Sequence, residues 1–277
     1  MTGWTPIGVA GLAALLLASG AAAAQGLGYV AMGSSFAAGP GITRSADDPP
    51  DSCRRSADNY AHQLARRRGL DLVDVSCGGA VTASILAPWN GHPAQIEAVT
   101  PATSLVTVTI GGNDVGYMAG LGAASCRELA ARKADAEALA KCPAVTRAPQ
   151  EAYVRLAAAM NEIAAQVHAR APKAKLVFVD YLTVLPATGV CAATPLSAAD
   201  ADASRETARR VVEITRRASR ERGAVVVSAS TLSVGHDVCG AAPWMNGFPV
   251  PAGTAAYHPN LAGMTAVAEA LDRQLGR

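Results

Sequence analysis

Residues 29–41 read YVAMGSSFAAGPG, and how this stretch is interpreted decides the fold. The run Tyr29-Val30-Ala31-Met32 predicts a buried strand, and Gly33-Ser34-Ser35 breaks it abruptly. In open α/β sheets the chemistry sits at the carboxyl ends of strands, on the turns that follow them. A serine hydroxyl there is a candidate nucleophile if the chain also supplies a base and donors for an oxyanion. Without those partners the segment is a plain Ser/Gly-rich loop. At this level either Ser34 or Ser35 is the hydroxyl concerned.

Outward from this turn, residues 42–58 are polar and rich in Pro and Asp, a loop. Residues 60–68 predict a helix, with Asp58 or Asn59 as N-cap. Residues 70–76 (LDLVDVS) alternate as a strand that runs into Cys77-Gly78-Gly79-Ala80. Residues 105–110 (LVTVTI) are almost all apolar or β-branched, as in a strand buried on both faces, and end at Gly111-Gly112-Asn113-Asp114. Residues 118–148 form an Ala-rich, charged, helical excursion. Tyr153, Leu156, Met160, Ile163 and Val167 fall at helical spacing. Residues 176–181 and 224–227 predict two more strands. Between them lies a long helix opened by a Ser197/Asp200 capping box, and residues 260–275 predict a terminal helix. Strands alternating with helices imply a parallel sheet covered on both faces. The glycine turns at 33–35, 77–80 and 111–114 then lie on one edge and can meet in one crevice.

Composition narrows the functional classes. The chain has 277 residues, 50% hydrophobic and 17% charged, which suits one domain with a full core. A net charge of +2 suggests neither nucleic acid nor an anionic membrane as partner. Residues 1–24 resemble a secretory signal: residues 7–17 are apolar, and Ala22-Ala23-Ala24 fits a cleavage site before Gln25. The n-region lacks Lys and Arg, so an uncleaved anchor is the alternative, although the apolar part is short for a membrane span. Residues 25–277 are then the mature domain, exported, without stable membrane insertion, and monomeric. Its six cysteines suit disulfides, with sequential pairing (Cys53–Cys77, Cys126–Cys142, Cys191–Cys239) the simplest guess. No cysteine or histidine spacing suggests a zinc site, so neither metal nor other cofactor is expected.

Five histidines are available as a base. His62 and His168 fall within helices and are expected at the surface, His92 lies in a loop, and His236 sits beside Cys239. His258 directly precedes Pro259 and the last helix, where a rigid element can hold it toward the crevice. The blocks GSSF, CGGA, GGND and HPN occur in the order and spacing of the SGNH (GDSL-type) hydrolases. Across residues 28–275 the chain resembles the secreted six-cysteine esterases and lipases of that family. The resemblance implies a three-layer, flavodoxin-like α/β/α sandwich with a parallel five-stranded sheet. It implies Ser35 as nucleophile, His258 as base, and the N–H groups of Ser35 and Gly79 with the Asn113 amide as oxyanion hole. The expected function is hydrolysis of small-molecule or lipid esters through an acyl-enzyme. A carbohydrate O-acetylesterase or a non-catalytic binding protein of the same fold are the rival readings.

Two positions depart from the family pattern. Ser34 stands where an Asp usually precedes the nucleophile, and Ala255 stands where an Asp usually precedes the histidine by three. The sequence therefore suggests a Ser–His dyad whose imidazole is oriented by a backbone carbonyl, that of Ala255 being the first candidate. Asp237 is the remote alternative.

Overall fold

The first strand, β1 (Gly28–Gly33), is central and almost wholly buried, as its uninterrupted apolar run requires. The computed structural model describes residues 1–3 and 27–276, so the expected signal segment lies almost entirely outside the described residues. A short helix α1 (Ser35–Ala38) leaves β1, and after a loop comes α2 (Tyr60–Arg68), capped by Asn59, whose Oδ1 accepts the His62 N–H. The edge strand β2 (Asp71–Asp74) follows, then α3 (Thr82–Leu86), β3 (Thr103–Thr109), α4 (Tyr117–Arg132) and α5 (Ala136–Lys141). The second half runs α6 (Gln150–Arg170), β4 (Lys175–Val179), α7 (Ala198–Glu221), β5 (Val225–Val227), α8 (Ala229–Leu232) and α9 (Leu261–Leu275).

All five strands pair in parallel in the order β2-β1-β3-β4-β5. Right-handed crossovers then require α2 on one face and α3, α6 and α7 on the other. The packing agrees: α9 returns to lie against α2, while α6 packs on α3 and α7. This is the expected α/β/α sandwich. β2 stops at Asp74, two residues short of expectation, because Asp74 Oδ1 accepts both the N–H (3.0 Å) and the hydroxyl (2.6 Å) of Ser76 and turns the chain there. Two threonines inside the buried strand β3 are reached by tyrosines: Tyr29 Oη lies 2.8 Å from Thr107 Oγ1, and Tyr60 Oη lies 2.9 Å from Thr109 Oγ1. Each otherwise costly buried hydroxyl is thus satisfied.

The cysteines pair sequentially, Cys53–Cys77, Cys126–Cys142 and Cys191–Cys239, leaving no free thiol. No helix among the described residues is long and apolar enough to cross a membrane. The 118–148 excursion is α4 and α5, joined by Cys126–Cys142.

Candidate active site

The turn after β1 depends on Gly33. Its φ of 142° is open to glycine, and a Cβ there would run into the Thr109 carbonyl of the neighbouring strand. The buried Gln95 side chain brackets this residue, its Oε1 accepting the Gly33 N–H at 2.7 Å and its Nε2 donating to the Gly33 carbonyl at 3.1 Å. Ser34 and Ser35 therefore leave the strand in a fixed direction and diverge. Ser34 Oγ lies 3.3 Å from Tyr181 Oη, whereas Ser35 Oγ lies 2.7 Å from Nε2 of His258.

The imidazole is held from behind by the backbone. His258 Nδ1 is 2.7 Å from the carbonyl oxygen of Ala256. The expected carbonyl, that of Ala255, is engaged elsewhere, accepting the Asn246 side-chain amide at 3.1 Å. The local chain path explains the difference. Tyr257 sits in the left-handed region (φ 58°), which is costly for a bulky residue. That kink puts the carbonyl two residues before the histidine, rather than three, beside Nδ1. Several contacts hold it: Tyr257 N–H donates to the Asn246 carbonyl at 3.1 Å, the Asn246 N–H donates to the His258 carbonyl at 2.9 Å, and Tyr257 Oη lies 2.6 Å from Ser125 Oγ on α4. The excursion thus buttresses the histidine loop.

Asp237 does not reach the imidazole; its Oδ1 accepts the Cys239 N–H at 2.9 Å. The other histidines have other surroundings. His236 stacks on Trp244 and its Nδ1 lies 2.8 Å from the Ala242 carbonyl, while His92 Nε2 is 3.0 Å from Ser52 Oγ. His62, expected at the surface, is half-buried, its Nε2 3.5 Å from a carboxylate oxygen of Asp74. His168 lies on α6, away from this constellation.

The other two turns follow the strands on either side of β1, at the same edge of the sheet. Gly79 is exposed and has φ 86°, a left-handed conformation that favours glycine, with the Trp89 indole 3.5 Å from where a Cβ would be. Among the described residues neither Ser35 N–H nor Gly79 N–H donates to another protein group. Asn113 Nδ2 donates one hydrogen to the Ala80 carbonyl at 2.9 Å, which fixes the amide and leaves its second hydrogen free. Asp114 staples the same two turns, accepting the Thr82 N–H at 3.1 Å and the Thr82 hydroxyl. Tyr181 Oη accepts the Gly112 N–H at 2.8 Å and so ties the third turn to Ser34. Gln95, Tyr181, Asp114, Asn246 and Ser125 were not singled out from sequence. Only Asp114 carried a signal, its place inside the GGND block.

Burial lowers the His258 pKa below the ordinary histidine value; the Ala256 carbonyl opposes this, and the positive charge of Arg54 adds to it. A neutral imidazole hydrogen-bonded to a serine hydroxyl is the pair that acyl transfer by a serine requires.

Comparison with known proteins points the same way. The model of the GDSL-like Lipase/Acylhydrolase family matches residues 31–266. The chain is 33% identical over 271 residues to Lipase 2 of Streptomyces coelicolor, covering 91% of this chain and 87% of that protein. It is 30% identical to a lipase of Streptomyces rimosus, covering 87% of this chain and 84% of the relative. Among solved structures it is similar to phospholipase A1 from Streptomyces albidoflavus (TM-score 0.72, 25% identity, 90% of this chain and 99% of that one). It is also similar to the extracellular lipase of Streptomyces rimosus (TM-score 0.71, 27% identity, 88% and 98%).

Proposed function

This chain belongs to the GDSL-like lipase/acylhydrolase family and is a carboxylic ester hydrolase, and on that premise we propose that it works through a Ser35–His258 dyad after export from the cell. Ser35 Oγ attacks the ester carbonyl while His258 Nε2 takes the hydroxyl proton. The carbonyl oxygen becomes an oxyanion held by the N–H groups of Ser35 and Gly79 and by the Asn113 amide. His258 then passes its proton to the departing alcohol, leaving an acyl group on Ser35. Water, deprotonated by the same imidazole, releases the acid and restores the serine. The Ala256 carbonyl keeps the proton on Nδ1 in the resting state, so that Nε2 is the basic nitrogen.

One observation carries this reading: a single imidazole lies 2.7 Å from Ser35 Oγ through one nitrogen and 2.7 Å from a backbone carbonyl through the other. Export is supported by three disulfides and the apolar N-terminal sequence, and a relative described as an extracellular lipase has the same fold. The test is a fluorophosphonate probe applied to protein recovered from the culture medium, its chain expected to begin at Gln25. Wild type and Ser34→Ala are expected to label, and Ser35→Ala is not. An unlabelled wild type would sink the mechanism, and labelling that survives Ser35→Ala would move the nucleophile elsewhere.

The acid limb of kcat/KM follows from the same imidazole. Catalysis needs His258 neutral, and its pKa lies below the ordinary value, so activity persists to pH values below about 6.5. Arg54 disfavours the imidazolium; Arg54→Gln removes that repulsion, raises the pKa, and is expected to shift the limb to higher pH. A limb that stays put or moves to lower pH in the variant contradicts this account of the base.

A further inference from the structure

We propose that Tyr181 is a positioning residue for catalysis: its phenol holds the Gly111-Gly112-Asn113 turn and so aims the Asn113 amide at the oxyanion. This rests on the serine-hydrolase reading above and adds a residue to it.

Tyr181 follows β4, the neighbour of β3 in the sheet, at the edge that carries the turn. Its starting point is rigid. The preceding residue, Asp180, has a fully buried side chain that accepts the Ser230 N–H at 2.7 Å and pairs with Arg216 at 3.1 Å. The buried Tyr181 ring is centred 4.5 Å from that of Phe36 and 6.3 Å from that of Tyr117. Phe36 in turn lies 5.2 Å from the His258 imidazole.

The phenol meets the backbone where only glycine admits it. A Cβ on Gly112 would stand 2.7 Å from Tyr181 Oη and 2.9 Å from two ring carbons. Gly112 has φ −62° and ψ −39°, a conformation open to every residue. The need for glycine at this position therefore comes from the tyrosine and not from the chain path. The residue is clamped at both of its polar groups: the N–H donates to Tyr181 Oη at 2.8 Å, and the carbonyl accepts the Tyr117 N–H at 2.9 Å. Asn113 comes next in the chain. Without the phenol the buried Gly112 N–H has no partner, and the turn that carries Asn113 loses one of its ties.

Burial pushes the Tyr181 pKa up to about 12, so the hydroxyl keeps its proton at neutral pH. Its other contact, Ser34 Oγ, is longer at 3.3 Å, so the effect runs through the oxyanion turn rather than through Ser34.

The test is Tyr181→Phe, which keeps the ring and removes one oxygen. With p-nitrophenyl acetate, kcat per fluorophosphonate-labelled site is expected to fall about 10–100-fold while KM changes little. A trifluoromethyl ketone reports the same loss by another route. Ser35 Oγ adds to its carbonyl carbon, the hydroxyl proton passes to His258, and the carbonyl oxygen becomes an anion. Its affinity should fall by the same factor as kcat. A purely structural role would lower the unfolding temperature and leave both quantities at wild-type values, which would overturn the proposal. In a Ser34→Ala background the loss on Tyr181→Phe should persist; if it vanishes, the phenol acts through Ser34 and the proposal fails. Gly112→Ala, harmless to the backbone itself, should displace the phenol and bring a similar loss, and wild-type kcat in that variant would also overturn it. A wild type that cleaves no ester and takes no probe would instead remove the dyad mechanism, and this inference with it.

Discussion

Ser35→Ala is expected to lower kcat for a p-nitrophenyl ester by about 10⁶, the loss seen when a serine hydrolase is deprived of its nucleophile. The neighbouring hydroxyl gives the contrast. Ser34 Oγ makes one weak contact, 3.3 Å from Tyr181 Oη, and no contact with a base. Removing one neutral hydrogen bond costs about 0.5–1.5 kcal/mol, so Ser34→Ala should lose no more than about tenfold. Kinetics of the two single variants separate the two serines by several orders of magnitude. Equal losses would mean that Ser34 takes part in the chemistry and that the Ser35 assignment is wrong.

His258→Gln is expected to bring a loss of similar size, about 10⁴–10⁶ in kcat, because no other base approaches Ser35 Oγ among the described residues. The informative companion is Asp237→Asn. In triads that rely on an orienting carboxylate, its amide replacement costs about 10⁴ in kcat. Here the orienting group is the Ala256 carbonyl, which no side-chain substitution removes, and Asp237 serves the N–H of Cys239. Its replacement should therefore change kcat by less than about tenfold, the weight of one local hydrogen bond. A loss near 10³ would show that Asp237 acts on the imidazole during turnover and would overturn the dyad.

The parts legible in sequence were those in which local chemistry and tertiary structure agree. The apolar runs at 29–32 and 105–110 could only be central strands, and glycine turns at their ends fixed which edge carries the chemistry. Ser35, Gly79, Asn113 and His258 were named because four short blocks at strand or helix ends resemble those of the SGNH hydrolases, and of these the structure brings Ser35 and His258 within 2.7 Å. The supports around them were not legible, for a physical reason. Gln95 brackets Gly33 from 62 residues away, and Ser125 reaches Tyr257 across 132 residues. Nothing local distinguishes such a Gln or Ser from a surface residue. The carbonyl that faces the imidazole depended on the positive φ of Tyr257, and a bulky aromatic is the residue least expected to adopt it.

Ser35 and His258, the proposed nucleophile and base, stand 223 positions apart in the chain. The fifth strand ends at Val227, so the sheet is complete 31 residues (258 − 227) before the base appears. On the proposed mechanism, a growing polypeptide that has all five strands is thus still inert. The last helix follows His258 directly and lies on the second, where Arg67 meets Glu269 at 3.0 Å. On that mechanism catalysis waits for a residue that follows the whole sheet in the chain: during biosynthesis, the strands that carry the serine are made before the base that serves it.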